Sequence, residues 1–186
     1  MISTPDGVID VNGRSRPLGG PADQARLIAL RGAAAVVMVG AGTARTENYG
    51  APSKQGLRIA VVTKSCALDF TSALFSSGAG LVATTVSAPA LSVDTVRAGE
   101  IDVDMAGIIA QLPVGVVHVE GGPMLNAALF DADCVDAINL TMSPRLGGFR
   151  GPAMSQAPHE LRRFTLVSLE TTDEFVFARY EKITTA

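Results

Sequence analysis

Four short runs of mainly β-branched residues recur along the chain: AVVMV (35–39), LRIAVVT (57–63), GLVATT (80–85) and GVVHVE (115–120). Each is almost continuously apolar and lacks the polar alternation of a half-solvated strand. Runs of this kind belong to strands covered on both faces, the environment of a parallel sheet. Parallel neighbours cannot be joined by a tight turn, so each pair demands a crossover, usually a helix. The intervening segments suit that role. PADQARLIALRGAA places Pro21 at a first helical position and Leu27, Leu30 and Ala34 on one face. DMAGIIAQL (104–112) and GPMLNAALFDA (122–132) are similar. The pattern predicts an α/β fold with a mostly parallel central sheet.

After Cys134 the texture changes. CVDAINLTMSPRL, RRFTLVSLETT and DEFVFARYEKI read as successive strands separated by polar turns, the last turn at TTD. They predict antiparallel C-terminal strands finishing the sheet. MISTPDGVIDVNG reads as a short strand and a turn at Asp6-Gly7. About eight strands are expected, in a single domain over 1–186. Because a strand opening at residue 1 is so short, residues belonging to it are expected before Met1.

Of the 186 residues, 47% are apolar and 18% charged, and the net charge is −3. That balance describes a globular chain with a substantial core. It carries no basic run, which argues against a nucleic-acid surface. No apolar stretch has the length of a membrane helix, and the N-terminus lacks a secretory signal pattern. Two cysteines, Cys66 and Cys134, make a disulfide framework improbable and point to the cytoplasm. With two scattered histidines they form no zinc pattern, so no metal is expected. His118, between Val117 and Val119, reads as a packed or hydrogen-bonded histidine, and His159 carries no signal. Two histidines in these contexts propose no Ser-His-Asp arrangement.

Two strand ends run into glycines. VGAGTARTEN supplies Gly40 and Gly42, which allow a tight turn and close approach of a ligand, and Thr43 as an N-cap for the turn that follows. Exposed N–H groups there favour a phosphate. The Rossmann fingerprint is absent, because Arg45 stands where its third glycine would be, and no P-loop Gly-Lys-Ser/Thr follows. VVHVEGGPMLN repeats the arrangement with Glu120, Gly121, Gly122 and Pro123. Two such ends in one small domain suggest a ligand with several phosphates, such as a dinucleotide. A third end, AVVTKS, places Thr63 and Lys64 about twenty residues after the first glycine pair. There a hydroxyl and a cation suit a 2′-phosphate, and hence NADP, better than a bare ribose.

STPDG, LRGAAAVVMVGAGTARTENYG and VVHVEGGPMLNAALFDADCVDAINLTMSPRLGG, in that order, resemble the reductase of bacterial riboflavin biosynthesis. This is the 5-amino-6-(5-phosphoribosylamino)uracil reductase, often the C-terminal half of a bifunctional deaminase–reductase. The resemblance covers almost the whole chain and is closest to stand-alone pyrimidine-reductase-like members. It implies a three-layer dihydrofolate reductase-like fold, NADPH as cofactor, and a homodimer formed through the C-terminal strands. It also implies hydride transfer to C1′ of a ribose opened to its Schiff-base form.

Residue by residue, the resemblance assigns Gly40, Gly42 and Thr43 to the nicotinamide-ribose and diphosphate. Gly121, Gly122, Pro123 and Leu125 become a second wall, and Thr63 and Lys64 flank the 2′-phosphate. Glu47 and Glu120 would face the phosphoribosyl substrate, and Asp6 would shape the turn beside the nicotinamide; these three acids form the expected catalytic set. Three departures stand out. The family's lysine, six residues before Asp6, would precede Met1. A substrate-binding threonine falls near Gly19 and Gly20. Glu47 replaces an aspartate. They leave room for an NADPH-dependent reductase of another small heterocycle, such as dihydrofolate or a pterin, and for a catalytically silent dinucleotide-binding protein. The zinc-deaminase signature is absent.

Overall fold

The computed structural model describes residues 1–148, 152–155 and 161–183; His159 lies outside them. Five parallel strands form one sheet in the order β5-β4-β3-β2-β6. They are β2 (Val36–Gly40), β3 (Arg58–Val62), β4 (Gly80–Thr84), β5 (Thr95–Arg97) and β6 (Val117–Val119). The central runs are buried on both faces, as their composition requires. Val37, Val39, Ile59, Val61 and Val82 pack on one side with Leu74 and Phe75 of α3 (Ala73–Ser76) and Ala41 and Ala44 of α2 (Ala41–Thr46). Val36, Met38, Ala60, Leu81 and Ala83 pack on the other with α4 (Met105–Ile109) and α5 (Pro123–Asp131). Helix, sheet and helix make the three expected layers. A fully buried aliphatic side chain contributes roughly 1.5–3 kcal/mol, so this double-sided core carries the domain.

The C-terminal strands are antiparallel, as expected, but they do not extend the same hydrogen-bonded ladder. They form a second sheet, β1-β7-β9-β8, from β1 (Ile2–Ser3), β7 (Ala137–Met142), β9 (Phe175–Lys182) and β8 (Phe164–Thr172). Strand β6 pairs with β2, whereas β7 pairs with β1 and β9. Asp173 and Glu174 join β8 to β9, both with positive φ (50° and 69°), the conformation of a tight type I′ hairpin turn. The turn thus falls one residue later than TTD suggests.

Strand β5 is the one the sequence pattern misses, and its three residues are too few to show a period. Helix α1 (Pro21–Ala33) forms where Pro21 predicts it, yet none of its residues is fully buried. Leu27 and Leu30 are only partly covered, and Ile28 is 59% exposed. Arg26 ties the helix to the second sheet, pairing with Glu170 at 3.2 Å and lying over the Phe177 ring.

Candidate active site

The chain runs outward through β2, β3, β4 and β5, then returns to place β6 on the other side of β2. This reversal between β2 and β6 is a topological switch point, where ligands of open α/β sheets bind beyond the carboxyl ends of the strands. Both glycine loops lie there. The Gly40 N–H donates to the Gly121 carbonyl at 2.7 Å. A Cβ built on Gly122 would lie 2.6 Å from Thr43 Oγ1, so the two loops touch. Gly121 has φ +88°, and the Gly121-Gly122 peptide is cis.

Helix α2 has Gly40 as N-cap and α5 has Gly122, and neither receives a side-chain cap. Among the described residues, their first-turn N–H groups, Pro123 having none, therefore lack both intrahelical partners and capping side-chain oxygens. Thr43 is not the N-cap the sequence suggested: the helix starts at Ala41 and takes Thr43 into its first turn. A Cβ on Gly42 would meet no protein atom within 4 Å, so the space above this loop is open. Pro123 occupies the first turn of α5. Leu125 is 6% exposed and backs Gly40, its Cβ lying 3.7 Å from a Cβ built there. It supports the wall from behind.

The third strand end sits beside the first, because Gly40 and Val62 are ladder partners. Thr63 is turned inward at 6% exposure, and its Oγ1 accepts from the Cys66 N–H at 3.1 Å. The hydroxyl thus shapes the turn as an acceptor and keeps its own proton to donate. Lys64 is outward, and its Nζ donates to Asp102 at 2.7 Å. Arg45, which stands where a Rossmann glycine would be, reaches the same turn and donates to the Ala67 carbonyl at 2.9 Å.

The three acids have distinct surroundings. The Glu120 side chain is 6% exposed. Arg31 grips it with Nε on Oε1 and Nη2 on Oε2, both at 2.6 Å, and the Tyr49 hydroxyl donates to Oε2 at 2.5 Å. The Arg31 guanidinium also lies over the Tyr49 ring, 5.6 Å from its centroid. Burial alone would raise the Glu120 pKa, but the Arg31 and Tyr49 bonds outweigh it and hold the carboxyl below its usual range. The Glu120 bond raises the Arg31 pKa. Burial, followed by the Glu120 charge, raises that of the Tyr49 phenol. His118 Nε2 lies 3.6 Å from Glu120 Oε1 and has no hydrogen-bond partner among the described residues. Burial lowers its pKa, which favours neutral imidazole.

Glu47 closes α2 and accepts from both the Ser15 N–H (2.7 Å) and Ser15 Oγ (2.8 Å), in each case on Oε1. Its Oε2 has no hydrogen bond among the described residues. Asp6 is a clasp. It accepts from Thr4 Oγ1 and from the Gly147 and Gly148 N–H groups, the latter two at 3.1 and 2.7 Å. The Thr4 bond first, then that of Gly147, lowers its pKa. At Gly20, near which the resemblance places a substrate-binding threonine, a Cβ would stand 2.9 Å from the Phe175 ring, which would have to shift.

Sequence reasoning did not find Arg31, Tyr49 or Asp102. Their partners lie 89, 71 and 38 residues away along the chain, and no local spacing encodes such pairs. No group of metal-binding side chains occurs among the described residues. No helix among them is long and apolar enough to cross a membrane.

The same architecture occurs in known structures. A pyrimidine reductase-like protein of Corynebacterium diphtheriae is 25% identical, with 99% of this chain and 90% of that one aligned and a TM-score of 0.82. The Saccharomyces riboflavin biosynthesis reductase Rib7 is 19% identical, with 97% and 86% covered and a TM-score of 0.68. Dihydrofolate reductase from Enterococcus faecalis, solved with NADP(H), is 16% identical, with 97% and 92% covered and a TM-score of 0.60; the fold is thus dihydrofolate reductase-like. No curated protein matches significantly in sequence. Residues 1–177, which hold both glycine loops and the three acids, match the RibD C-terminal domain, and the chain belongs to that family.

Proposed function

We propose that this chain is an NADPH-dependent reductase of riboflavin biosynthesis, acting on 5-amino-6-(5-phosphoribosylamino)uracil. The observation that carries the reading is the pair of uncapped, glycine-started helices at the switch point, joined by the Gly40–Gly121 hydrogen bond. First-turn N–H groups without a side-chain cap, beside the open space at Gly42, fit a diphosphate. Membership of the RibD C-terminal domain family supports the activity, as does the likeness to a pyrimidine reductase-like protein.

When bound, the dinucleotide supplies hydride; the chain's residues orient the reactants and exclude water. Gly40, Gly42, Thr43, Gly121, Gly122 and Pro123 form the two walls, with Leu125 behind them. Thr63 shapes the turn that presents Lys64 to the 2′-phosphate. Asp6 fixes the 147–148 loop at the rim. Glu120 is held by Arg31 and Tyr49 and stays ionised, so it positions the second wall and does not carry a proton. Glu47, whose recorded bonds both fall on Oε1, is the acid left to meet the ribose hydroxyls.

The test is NADPH oxidation with the phosphoribosylaminouracil, with dihydrofolate alongside. Glu47→Gln is expected to lower kcat/KM by about a hundredfold, within the range for a lost acid–base or positioning carboxylate. For Glu120→Gln, unchanged turnover would remove Glu120 from the mechanism altogether. Reduction of dihydrofolate but not of the phosphoribosyl substrate would favour the alternative heterocycle.

The chain is also proposed to work as a homodimer in the cytoplasm. Ile28 on α1 and Leu166, Val167 and Leu169 on β8 are 47–60% exposed, and β8 is an edge strand, which natural proteins cover. Light scattering at micromolar concentration should give twice the chain mass; a monomer would refute the dimer.

A further inference from the structure

If the switch point is a dinucleotide site, Lys64 marks its phosphate end, and Lys64 already has a partner. Its Nζ lies 2.7 Å from Asp102 Oδ1, with the two side chains 60% and 82% exposed. Asp102 comes from the loop after β5, two strands away from β3 in the sheet. That loop is tightly constructed. Gly99 has φ +81°, and a Cβ there would lie 2.0 Å from the Asp102 carbonyl oxygen. The Val86 N–H donates to Gly99 O at 2.9 Å and the Asp104 N–H to Ala98 O at 3.1 Å. Ser87 Oγ donates to Glu100 O at 2.8 Å. The backbone thus holds Asp102 where it meets the ammonium of Lys64. An ion pair this exposed adds little to fold stability, so stability does not explain why a rigid loop delivers a carboxylate to this lysine.

We propose that Asp102 is a specificity-determining residue: it is the resident counter-ion of Lys64, competes with the cofactor's 2′-phosphate for that ammonium, and sets how strongly the site prefers NADPH over NADH. The proposal rests on the dinucleotide reading above. A phosphate monoester carries a charge of about −1.5 to −2 at neutral pH. It gains Lys64, with Arg45 over the same turn, only by displacing Asp102 and then remaining beside a like charge. NADH brings only a neutral 2′-hydroxyl to this position, so its affinity depends far less than that of NADPH on the charge of Asp102. Asp102 and Lys64 are both solvated, so the competition weakens with salt.

The experiment is nicotinamide fluorescence titration of the full chain with NADPH and with NADH, at about 20 mM and about 300 mM salt. Wild type, Asp102→Asn and Lys64→Met are compared. Asp102→Asn should tighten NADPH about five- to tenfold at low salt, leave NADH unchanged, and lose most of that gain at high salt. Lys64→Met should weaken NADPH about tenfold and leave NADH unchanged. An NADPH-to-NADH ratio that Asp102→Asn does not move, or a gain shared equally by both cofactors, overturns the counter-ion role while the dinucleotide site stands. Wild type that binds neither cofactor overturns the dinucleotide reading itself, and the proposal with it.

Discussion

Arg31→Met should unfold roughly 6–12 °C below the parent, the shift expected of about 3 kcal/mol in a domain of this size. The Glu120 side chain it abandons is 6% exposed, while that of Arg31 is 33% exposed. The loss therefore falls near the lower end for a broken buried pair. Most of the loss comes from the stranded carboxylate, so Arg31→Met/Glu120→Met should recover much of it. pH separates this cause from lost packing. In the parent, the Glu120 pKa is depressed below its ordinary 4.5. Its stabilising contribution is complete above 4.5 and disappears as pH falls through the lower folded value. In Arg31→Met, burial acts with far less opposition and raises that pKa. The carboxylate is then destabilising at neutral pH, and protonation relieves it as pH falls toward 4.5. Thermal unfolding of both proteins between pH 7 and about pH 4 should show the gap closing on acidification. A constant gap would mean that Arg31 acts through packing alone.

Legibility in the sequence followed the range of the interactions involved. Strands β2, β3 and β4 were readable because burial on both faces leaves unbroken apolar runs. Strand β5 was not, because Thr95–Arg97 is too short to show a period and its pairing with β4 is a tertiary fact. The glycine loops were readable as turns beyond strand ends, but the cap of α2 was misread. A glycine N-cap has no side chain to announce itself, so the nearby Thr43 looked the better candidate. Thr63 and Leu125 were found at the right strand and helix ends. Which way they point depends on local turn bonding and on the face of α5 that meets the sheet. Glu120 was singled out for its place before two glycines, and nothing nearby in sequence foretold Arg31 or Tyr49. The spacing that located Lys64 likewise could not disclose Asp102.

If the glycine loops hold the dinucleotide as proposed, Gly122→Ala should weaken NADPH and NADH alike, by about tenfold, because it disturbs the junction between the two loops. The added methyl would stand 2.6 Å from Thr43 Oγ1, well inside contact distance. Thr43 is β-branched and helical, with two staggered positions for its hydroxyl. If neither clears the methyl, the α2 and α5 loops separate and the Gly40–Gly121 bond lengthens. Overpacking of this order costs about 1–3 kcal/mol, and tenfold in affinity is about 1.4 kcal/mol. Thr43→Ala removes the obstructing oxygen, so Thr43→Ala/Gly122→Ala should bind within about threefold of Thr43→Ala alone, that tolerance being under 1 kcal/mol. A double variant as weak as Gly122→Ala would instead mean that the Gly122 backbone itself lies against the ligand. Gly42→Ala isolates that second effect. No protein atom opposes a Cβ at Gly42, and alanine favours the helix by about 0.5–1 kcal/mol. The variant should therefore be at least as stable as the parent, and any affinity it loses measures contact between the loop and the dinucleotide directly.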